Sequence, residues 1–135
     1  MRRLLILPLI IMISSSCKKS SESAKPVVLD DATYKGTFQR KLDTYGNISN
    51  VQLNFSSGKF SGTSDQGKYP GICNGTFSIK GDSIEFMNAC VWTAEFDWSL
   101  ILGGSFAVKQ NGNDLRLSRK YMNGKYEDVY LLTKQ

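Results

Sequence analysis

Short runs of alternating apolar and polar residues, separated by turn-forming residues, constrain the fold of this chain more than any other feature. In the first run, Tyr34, Gly36 and Phe38 alternate with polar residues, and similar runs recur towards the C-terminus. A period of two places the apolar side chains on one face of a strand, whereas a helix needs a period of 3.6. Strands with one apolar face are typical of antiparallel sheets over a single core.

The residues between the runs favour tight hairpins. Gly, Asn and Asp tolerate positive backbone φ angles, which short hairpin turns require. Such residues recur at 45–47, 57–58, 81–82, 111–112 and 123–124. We therefore predict about eight strands, at 33–41, 49–56, 59–64, 73–80, 83–88, 98–109, 113–120 and 125–133. Two adjacent glycines, Gly103 and Gly104, predict a bulge or sharp bend within the sixth strand.

A meander of short hairpins closes most economically into a barrel, because closure pairs the two edge strands. The sequence therefore predicts an all-β fold, an antiparallel up-and-down β-barrel of about eight strands. A two-sheet β-sandwich is the alternative, since it uses the same strands.

The N-terminus has the pattern of an export signal. Arg2 and Arg3 precede an apolar run at 4–13, and three serines precede Cys17. The run is shorter than the roughly 20 residues that span a bilayer, so we predict a signal peptide over 1–16 that is removed. The serines before the cysteine resemble a bacterial lipoprotein signal, although Ser14 stands where leucine is usual. An ordinary secretory signal is the alternative.

A lipoprotein signal predicts that Cys17 is acylated and holds the protein in the cell envelope, at the outer membrane. Two or more acyl chains anchor a protein firmly, whereas one chain holds it only marginally. Residues 17–29 are mostly small and polar, which is typical of a flexible tether. We predict a folded β-barrel domain over 30–135.

The other two cysteines predict a structural disulfide. Cys73 and Cys90 lie in a chain that the signal sends to an oxidising compartment, where disulfides persist. Closing a loop of this length would stabilise the fold by roughly 3 kcal/mol. A redox pair or a zinc site is the weaker alternative, because the spacing is not Cys-x-x-Cys and the chain has no histidine.

Composition disfavours nucleic-acid binding and ordinary catalysis. Loss of Arg2 and Arg3 lowers the formal net charge from +5 to +3, and no basic cluster is interleaved with aromatic residues. Without histidine there is no Ser-His-Asp or Cys-His arrangement. The neighbouring carboxylates at 95 and 97, or at 127 and 128, are more typical of solvated strand faces than of a glycosidase pair. We expect a non-catalytic protein without a cofactor or a metal.

From Tyr34 onward the chain resembles the lipocalin-like domains of small Bacteroidota lipoproteins, in the number and order of its strands. In lipocalins a Gly-x-Trp motif in the first strand closes the barrel base against a basic residue from a late strand. The matching residues here are Gly36, Thr37 and Phe38, with Arg116 or Arg119 as the basic partner. Phenylalanine replaces the tryptophan, and no Thr-Asp-Tyr motif follows. The resemblance implies that Phe38 plugs the barrel, and the alternative is an ordinary core aromatic.

Both tryptophans lie in one short aromatic segment after Cys90. In an extended segment Trp92, Phe96 and Trp98 would share a face. They could line a ligand pocket at the barrel mouth, or they could fill the core. The disulfide could also tie Tyr69 and Trp92 into a rigid surface patch for ligand or protein contact.

One further motif concerns modification. The residues Asp82, Ser83 and Ile84 resemble the O-glycosylation motif of Bacteroidota, and they lie at a predicted hairpin turn. Ser83 is therefore a candidate glycosylation site.

Taken together, these patterns predict a membrane-anchored envelope lipoprotein that binds a small, partly apolar ligand in or at the mouth of its barrel. The alternative is a protein-interaction module, such as an envelope accessory subunit or a barrel-type protease inhibitor. The interior separates the two hypotheses, because a ligand needs a cavity of at least ~300 Å3, whereas a barrel filled with aromatic rings favours the interaction role.

Overall fold

The computed structural model describes residues 26–42 and 45–135, which form a closed, all-β barrel. The strands follow chain order around the barrel, each is antiparallel to its neighbours, and the last strand pairs with the first. They are β1 (Ala32–Lys41), β2 (Tyr45–Ser56), β3 (Lys59–Ser64), β4 (Asn74–Lys80), β5 (Ser83–Asn88), β6 (Gly104–Asn111), β7 (Asp114–Tyr121) and β8 (Tyr126–Lys134). The predicted up-and-down barrel is confirmed, and the sandwich is excluded.

One end of the barrel, the hairpin end, is made by three two-residue turns. Ser57-Gly58 joins β2 to β3, Gly81-Asp82 joins β4 to β5, and Gly112-Asn113 joins β6 to β7. Ser57 and the three glycines have φ angles between 50° and 75°. Those are the backbone angles that type I′ and II′ turns require, so local sequence suffices to form these connections.

A strap, residues 26–31, crosses the hairpin end before β1 begins. Val27 and Leu29 pack against the core. The carboxylate of Asp30 lies 2.7 Å from the ammonium group of Lys134 at the end of β8. Packing against the barrel therefore begins three residues before the predicted domain boundary at residue 30.

The barrel interior is filled by apolar side chains. Fifteen buried residues from seven strands and one connection form a single cluster, and Phe77 and Ile79 of β4 pack against it. Within it, aromatic rings contact one another with centroids 4.7–6.3 Å apart, in the order Tyr34, Phe55, Phe86, Phe106, Tyr130, Phe38 and Tyr69. Such spacings are those of packed aromatic pairs. This chain of rings extends through the interior from the hairpin end to the opposite end.

The opposite end, the loop end, carries two long connections, 65–73 and 89–103. The prediction of a sixth strand from residue 98 is wrong, because Trp98–Leu100 form a single 3-10 turn and β6 begins at Gly104. The side chain of Asp97 caps that turn by accepting the backbone N–H of Ser99 at 2.9 Å. Gly104 has φ 75°, which a strand interior does not use.

The two long connections are joined covalently and by backbone contacts. The predicted disulfide between Cys73 and Cys90 is present, with the Cα atoms 6.4 Å apart. Gly71 forms a parallel bridge with Ile101. A Cβ atom at Gly71 would lie 3.2 Å from the side chains of Ile101 and Trp92, so a larger residue would require these side chains to shift by a few tenths of an ångström. Within the described residues, no helix is long and apolar enough to cross a membrane.

Candidate functional site at the loop end

The inward faces of three strands change from apolar to polar at the loop end. Because side chains two positions apart share a face, Arg40 follows Phe38 inward on β1. On β7 the inward series continues through Arg119 and Tyr121, and on β8 Asp128 precedes Tyr130. We call Arg40, Arg119, Tyr121 and Asp128 the mouth cluster.

Asp128 is the centre of the mouth cluster, and its side chain is only 1% exposed. Arg40 Nε lies 2.7 Å from Asp128 Oδ1, and Arg119 Nη2 lies 3.3 Å from Oδ2. The hydroxyl of Tyr121 donates to the same carboxylate. Burial by itself lowers the pKa of Arg40, but the hydrogen bonds and charge of Asp128 outweigh it and raise that pKa. The buried charges are therefore paired within the cluster.

The mouth cluster holds the 97–103 segment over the end of the barrel. Arg40 donates to Ser99 twice, from Nη1 to Oγ and from Nη2 to the carbonyl oxygen, both at 2.8 Å. Arg119 donates to the carbonyl oxygens of Ser99 at 3.1 Å and of Gly103 at 2.6 Å. Since each guanidinium group is occupied by groups of the chain itself, the cluster closes the barrel end.

The predicted pairing of Phe38 with a basic residue differs from the structure. Phe38 is fully buried between the rings of Tyr69 and Tyr130. The guanidinium carbon of Arg119 lies 4.3 Å from the ring centroid of Phe106 instead. Arg116 faces outward and pairs with Glu127, because its neighbours at 115 and 117 take the inward positions. Phe38 is a core aromatic.

Tyr69 and Trp92, which we predicted to share a surface patch, are both half-buried. The ring of Tyr69 points inward to Phe38, and its hydroxyl accepts the backbone N–H of Arg40 at 3.0 Å. Trp92 packs edge-on against Phe96, and its indole N–H donates to Asn88 at 3.0 Å. These rings secure the long connections against the barrel.

Trp98 does not share a face with Trp92 and Phe96, contrary to the prediction. The segment turns at 93–96, where the N–H of Phe96 donates to the carbonyl of Thr93, and then enters the 3-10 turn. The extended geometry on which the prediction depended is therefore absent from these residues. As a result the side chain of Trp98 projects from the surface and is 65% exposed.

Exposed apolar side chains are concentrated near the loop end. Four of the eight belong to its connections, and two more lie near the adjoining ends of β2 and β5. The first four are Leu42, Val91, Trp98 and Met122, and the next two are Ile48 and Met87. The remaining two are Val28 in the strap and Leu131 on the outer wall of β8.

Two hollows on the barrel wall have volumes of about 550 Å3 each. One is lined by residues of β6, β7 and β8, including Arg116 and Leu131, and the other by residues of β1, β2 and β3 with Asp65. Ser83 faces outward at the start of β5, beside a smaller hollow of about 190 Å3.

The remaining predictions concern acylation of Cys17, the signal peptide and metal binding. Cys17 and the signal peptide lie outside the described residues. Among residues 26–42 and 45–135, no group of three or more acidic, cysteine or histidine residues is arranged to hold a metal ion.

Sequence reasoning missed Arg40 and gave Asp128 to the solvated surface. The signal that could have identified both is their parity, because each lies two positions from an inward aromatic residue. A charged residue at an inward position needs a buried partner of opposite charge. Here the two positions supply that partner to each other.

Neither a protein-family model, nor a curated protein sequence, nor a solved structure matches this chain.

Proposed function

We propose that this protein is a lipid-anchored lipoprotein of the cell envelope, at the outer membrane, whose lipocalin-like barrel serves as a non-catalytic protein-interaction module. It would act as an envelope accessory subunit or a barrel-type protease inhibitor. The loop end is the surface that we assign to binding.

The filled interior carries this proposal. Pockets for small ligands usually have volumes of about 300–1,000 Å3 and enclose most of the ligand. Here the aromatic chain from Tyr34 to Tyr69 occupies the interior, and the two hollows of about 550 Å3 lie on the barrel wall. The geometry favours the interaction role over the alternative, a small ligand held inside the barrel.

The position of the tether also supports the assignment of binding to the loop end. The strap enters the barrel at the hairpin end, and Pro26 lies nine positions after Cys17. A fully extended segment of that length reaches about 30 Å. With Cys17 acylated in a membrane, the hairpin end would therefore lie nearest the lipid, and the loop end would face away from it.

Native mass spectrometry of the full-length protein, purified from its own envelope in mild detergent, tests the interaction role. We expect a mass that corresponds to the acylated chain without a bound small molecule, and no saturable binding of a fluorescent fatty acid. A small molecule retained at one copy per chain would contradict the proposal and favour the ligand hypothesis.

Acylation is tested separately by replacing Cys17 with serine. We expect the variant to leave the membrane pellet, and the wild-type chain to carry the added mass of its acyl groups on the peptide that begins at residue 17. A wild-type chain of unmodified mass would contradict the lipid anchor, although it would leave the interaction role open to its own test.

A further inference from the structure

Trp98 and Met122 lie on two connections of the loop end, and the side chain of Tyr121 beside one connection reaches Ser99 in the other. The carbonyl oxygen of Ser99 accepts hydrogen bonds from Arg40 at 2.8 Å and from Arg119 at 3.1 Å, and it lies 3.3 Å from the hydroxyl oxygen of Tyr121. Trp98 directly precedes Ser99 in the sequence, and Met122 directly follows Tyr121. Trp98 is 65% and Met122 is 69% exposed, and we call the two side chains the Trp98 patch.

The backbone of Met122 is unfavourable for its residue type. It has φ 50° in the four-residue turn between β7 and β8. The left-handed conformation costs a residue with a Cβ atom roughly 1–2 kcal/mol. Burial of the methionine side chain cannot offset this cost, because most of it is in solvent. Ser57 has the same φ angle in a hairpin turn, so the exposed methionine side chain, and not its backbone angle, is the feature that binding would explain.

Among the described residues around the patch, the carboxylates have partners within the chain, whereas two lysines have no carboxylate partner. Three described acidic groups of the loop end have partners within the chain: Glu95 pairs with Lys68 at 2.7 Å, Asp97 with Ser99, and Asp128 with two arginines. Lys120 and Lys125 flank Met122 in sequence and are exposed. No carboxylate of the described residues lies within 4.0 Å of either ammonium group. Among residues 26–42 and 45–135, the positive charges beside Met122 therefore have no carboxylate partner.

From these features we infer that the Trp98 patch docks a protein partner whose apolar pocket receives the indole of Trp98 and whose acidic side chains face Lys120 and Lys125. This inference deepens the proposed function and rests on it. Tryptophan is enriched among the residues that dominate binding energy, and charges around such a centre guide association.

A lipid surface fits the same patch less well. The carboxylate of Asp97 adjoins Trp98 and is 56% exposed. Insertion of Trp98 would press this carboxylate against lipid headgroups, and anionic headgroups would repel it. The strap begins at the hairpin end, so a lipid anchor at Cys17 would attach that end, and not the loop end, to the membrane. Lys120 and Lys125 would attract anionic headgroups as well as acidic side chains, so the attachment of the strap at the hairpin end is what favours a protein partner over a membrane.

Site-specific photo-cross-linking in the native envelope tests the position of the patch. The full-length chain carries p-benzoylphenylalanine in place of Trp98 or Met122. Matched control chains carry the probe in place of Val28 or Leu131, which are also more than half exposed but lie elsewhere on the barrel. We expect one protein adduct of defined mass from positions 98 and 122, and none from the two controls.

Charge reversal tests the chemistry of the partner. With the probe at position 122, we expect the double variant Lys120→Glu, Lys125→Glu to lower the adduct yield about tenfold. Lys59→Glu with Lys80→Glu, two exposed lysines beside the hairpin turns, should leave the yield unchanged. Trp98→Ala should abolish the adduct, whereas Met87→Ala should not. The cross-linked peptide of the partner should be rich in Asp and Glu. Circular dichroism confirms that each variant is folded.

The outcomes separate this inference from the proposed function. A protein adduct that resists charge reversal contradicts the acidic partner, and one that forms only at positions 28 or 131 contradicts the Trp98 patch, but both leave the interaction role standing. A lipid adduct at position 98 identifies a membrane as the occupant. Absence of an adduct at all four positions contradicts the inference and the proposed function together.

Discussion

The two ends of the barrel solve the same problem, closure over one core, in opposite ways. At the hairpin end three two-residue turns and the strap complete the barrel. At the loop end closure depends on residues that are distant in sequence, since Arg40 and Asp128 are 88 positions apart and Arg40 and Ser99 are 59 apart. Turn chemistry is sufficient at one end, whereas a tertiary network is needed at the other.

The two ends also differ in how much we expect each to contribute to stability and to binding. The hairpin end exposes one large apolar side chain, Val28, while the loop end gathers most of the others. Charges at the hairpin end pair near the surface, as Asp30 and Lys134 do, but Asp128 at the loop end is buried. We therefore expect mutations at the loop end to affect both properties, and those at the hairpin end to have smaller effects.

The largest expected effect follows from removing the central charge of the mouth cluster. Asp128→Asn leaves Arg40 and Arg119 without their buried counter-ion, and loss of one partner of a buried pair costs about 3–5 kcal/mol. Urea denaturation measures this loss. Asp30→Asn is the matched control at the hairpin end, where the carboxylate is 53% exposed and no measurable change is expected. Equal losses in the two variants would remove the distinction between the ends.

The second effect concerns the disulfide. Replacing Cys73 and Cys90 with serine removes the covalent link between the long connections and should lower the free energy of unfolding by about 3 kcal/mol. Hydrogen exchange should accelerate in 65–73 and 89–103, while the three hairpin turns keep their protection. Uniform acceleration around the barrel would show that the ends are not independent.

A smaller effect is expected when glycine replaces one residue at each end that has the same backbone φ angle. Ser57 and Met122 both have φ 50°. Replacement by glycine relieves the left-handed strain but adds backbone entropy to the unfolded chain, for a net stabilisation of roughly 0.5 kcal/mol. We expect both variants to raise the melting temperature slightly. Only Met122→Gly should weaken the cross-link at Trp98. A loss of binding with Ser57→Gly would place the binding surface elsewhere.

The smallest effect is a pH dependence confined to the loop end. Hydrogen bonds from Ser99 lower the pKa of Asp97 from its ordinary value of 3.8. A carboxyl group with a lowered pKa stabilises the folded state above its ordinary pKa, and that contribution is lost as the pH falls through the lowered value. Because both tryptophans lie at the loop end, their fluorescence should change below pH 3.8. The variant Asp97→Asn should lack this transition, and its persistence would assign it to another group.

The strands could be predicted closely because their signals are local. The predicted bounds of β3 and β5 match the structure, and the turns at 57–58 and 81–82 form as expected. The sixth strand was predicted six residues too early, since alternating apolar residues from Trp98 onward resemble a strand. In the structure the side chain of Asp97 caps a 3-10 turn, and Gly104 has a left-handed φ angle, so the strand begins only at residue 104.

The candidate site could be predicted only in part. Its aromatic residues were recognisable by type, but the turn at 93–96 directs Trp92 inward and leaves Trp98 in solvent. Whether an aromatic ring is core or surface depends on the path of the segment that carries it. That path is determined by contacts with Arg40 and Arg119, which lie on other strands.

The sequence by itself determined the strand period, the three tight turns and the cysteine pair, because each depends on neighbouring residues or on few candidates. Only the tertiary structure decided that the interior is filled, that Arg40 and Asp128 meet beneath the 97–103 segment, and that Trp98 and Met122 are both exposed at the loop end. These features require barrel closure, which brings residues from β1, β7 and β8 within hydrogen-bonding distance although they are far apart along the chain.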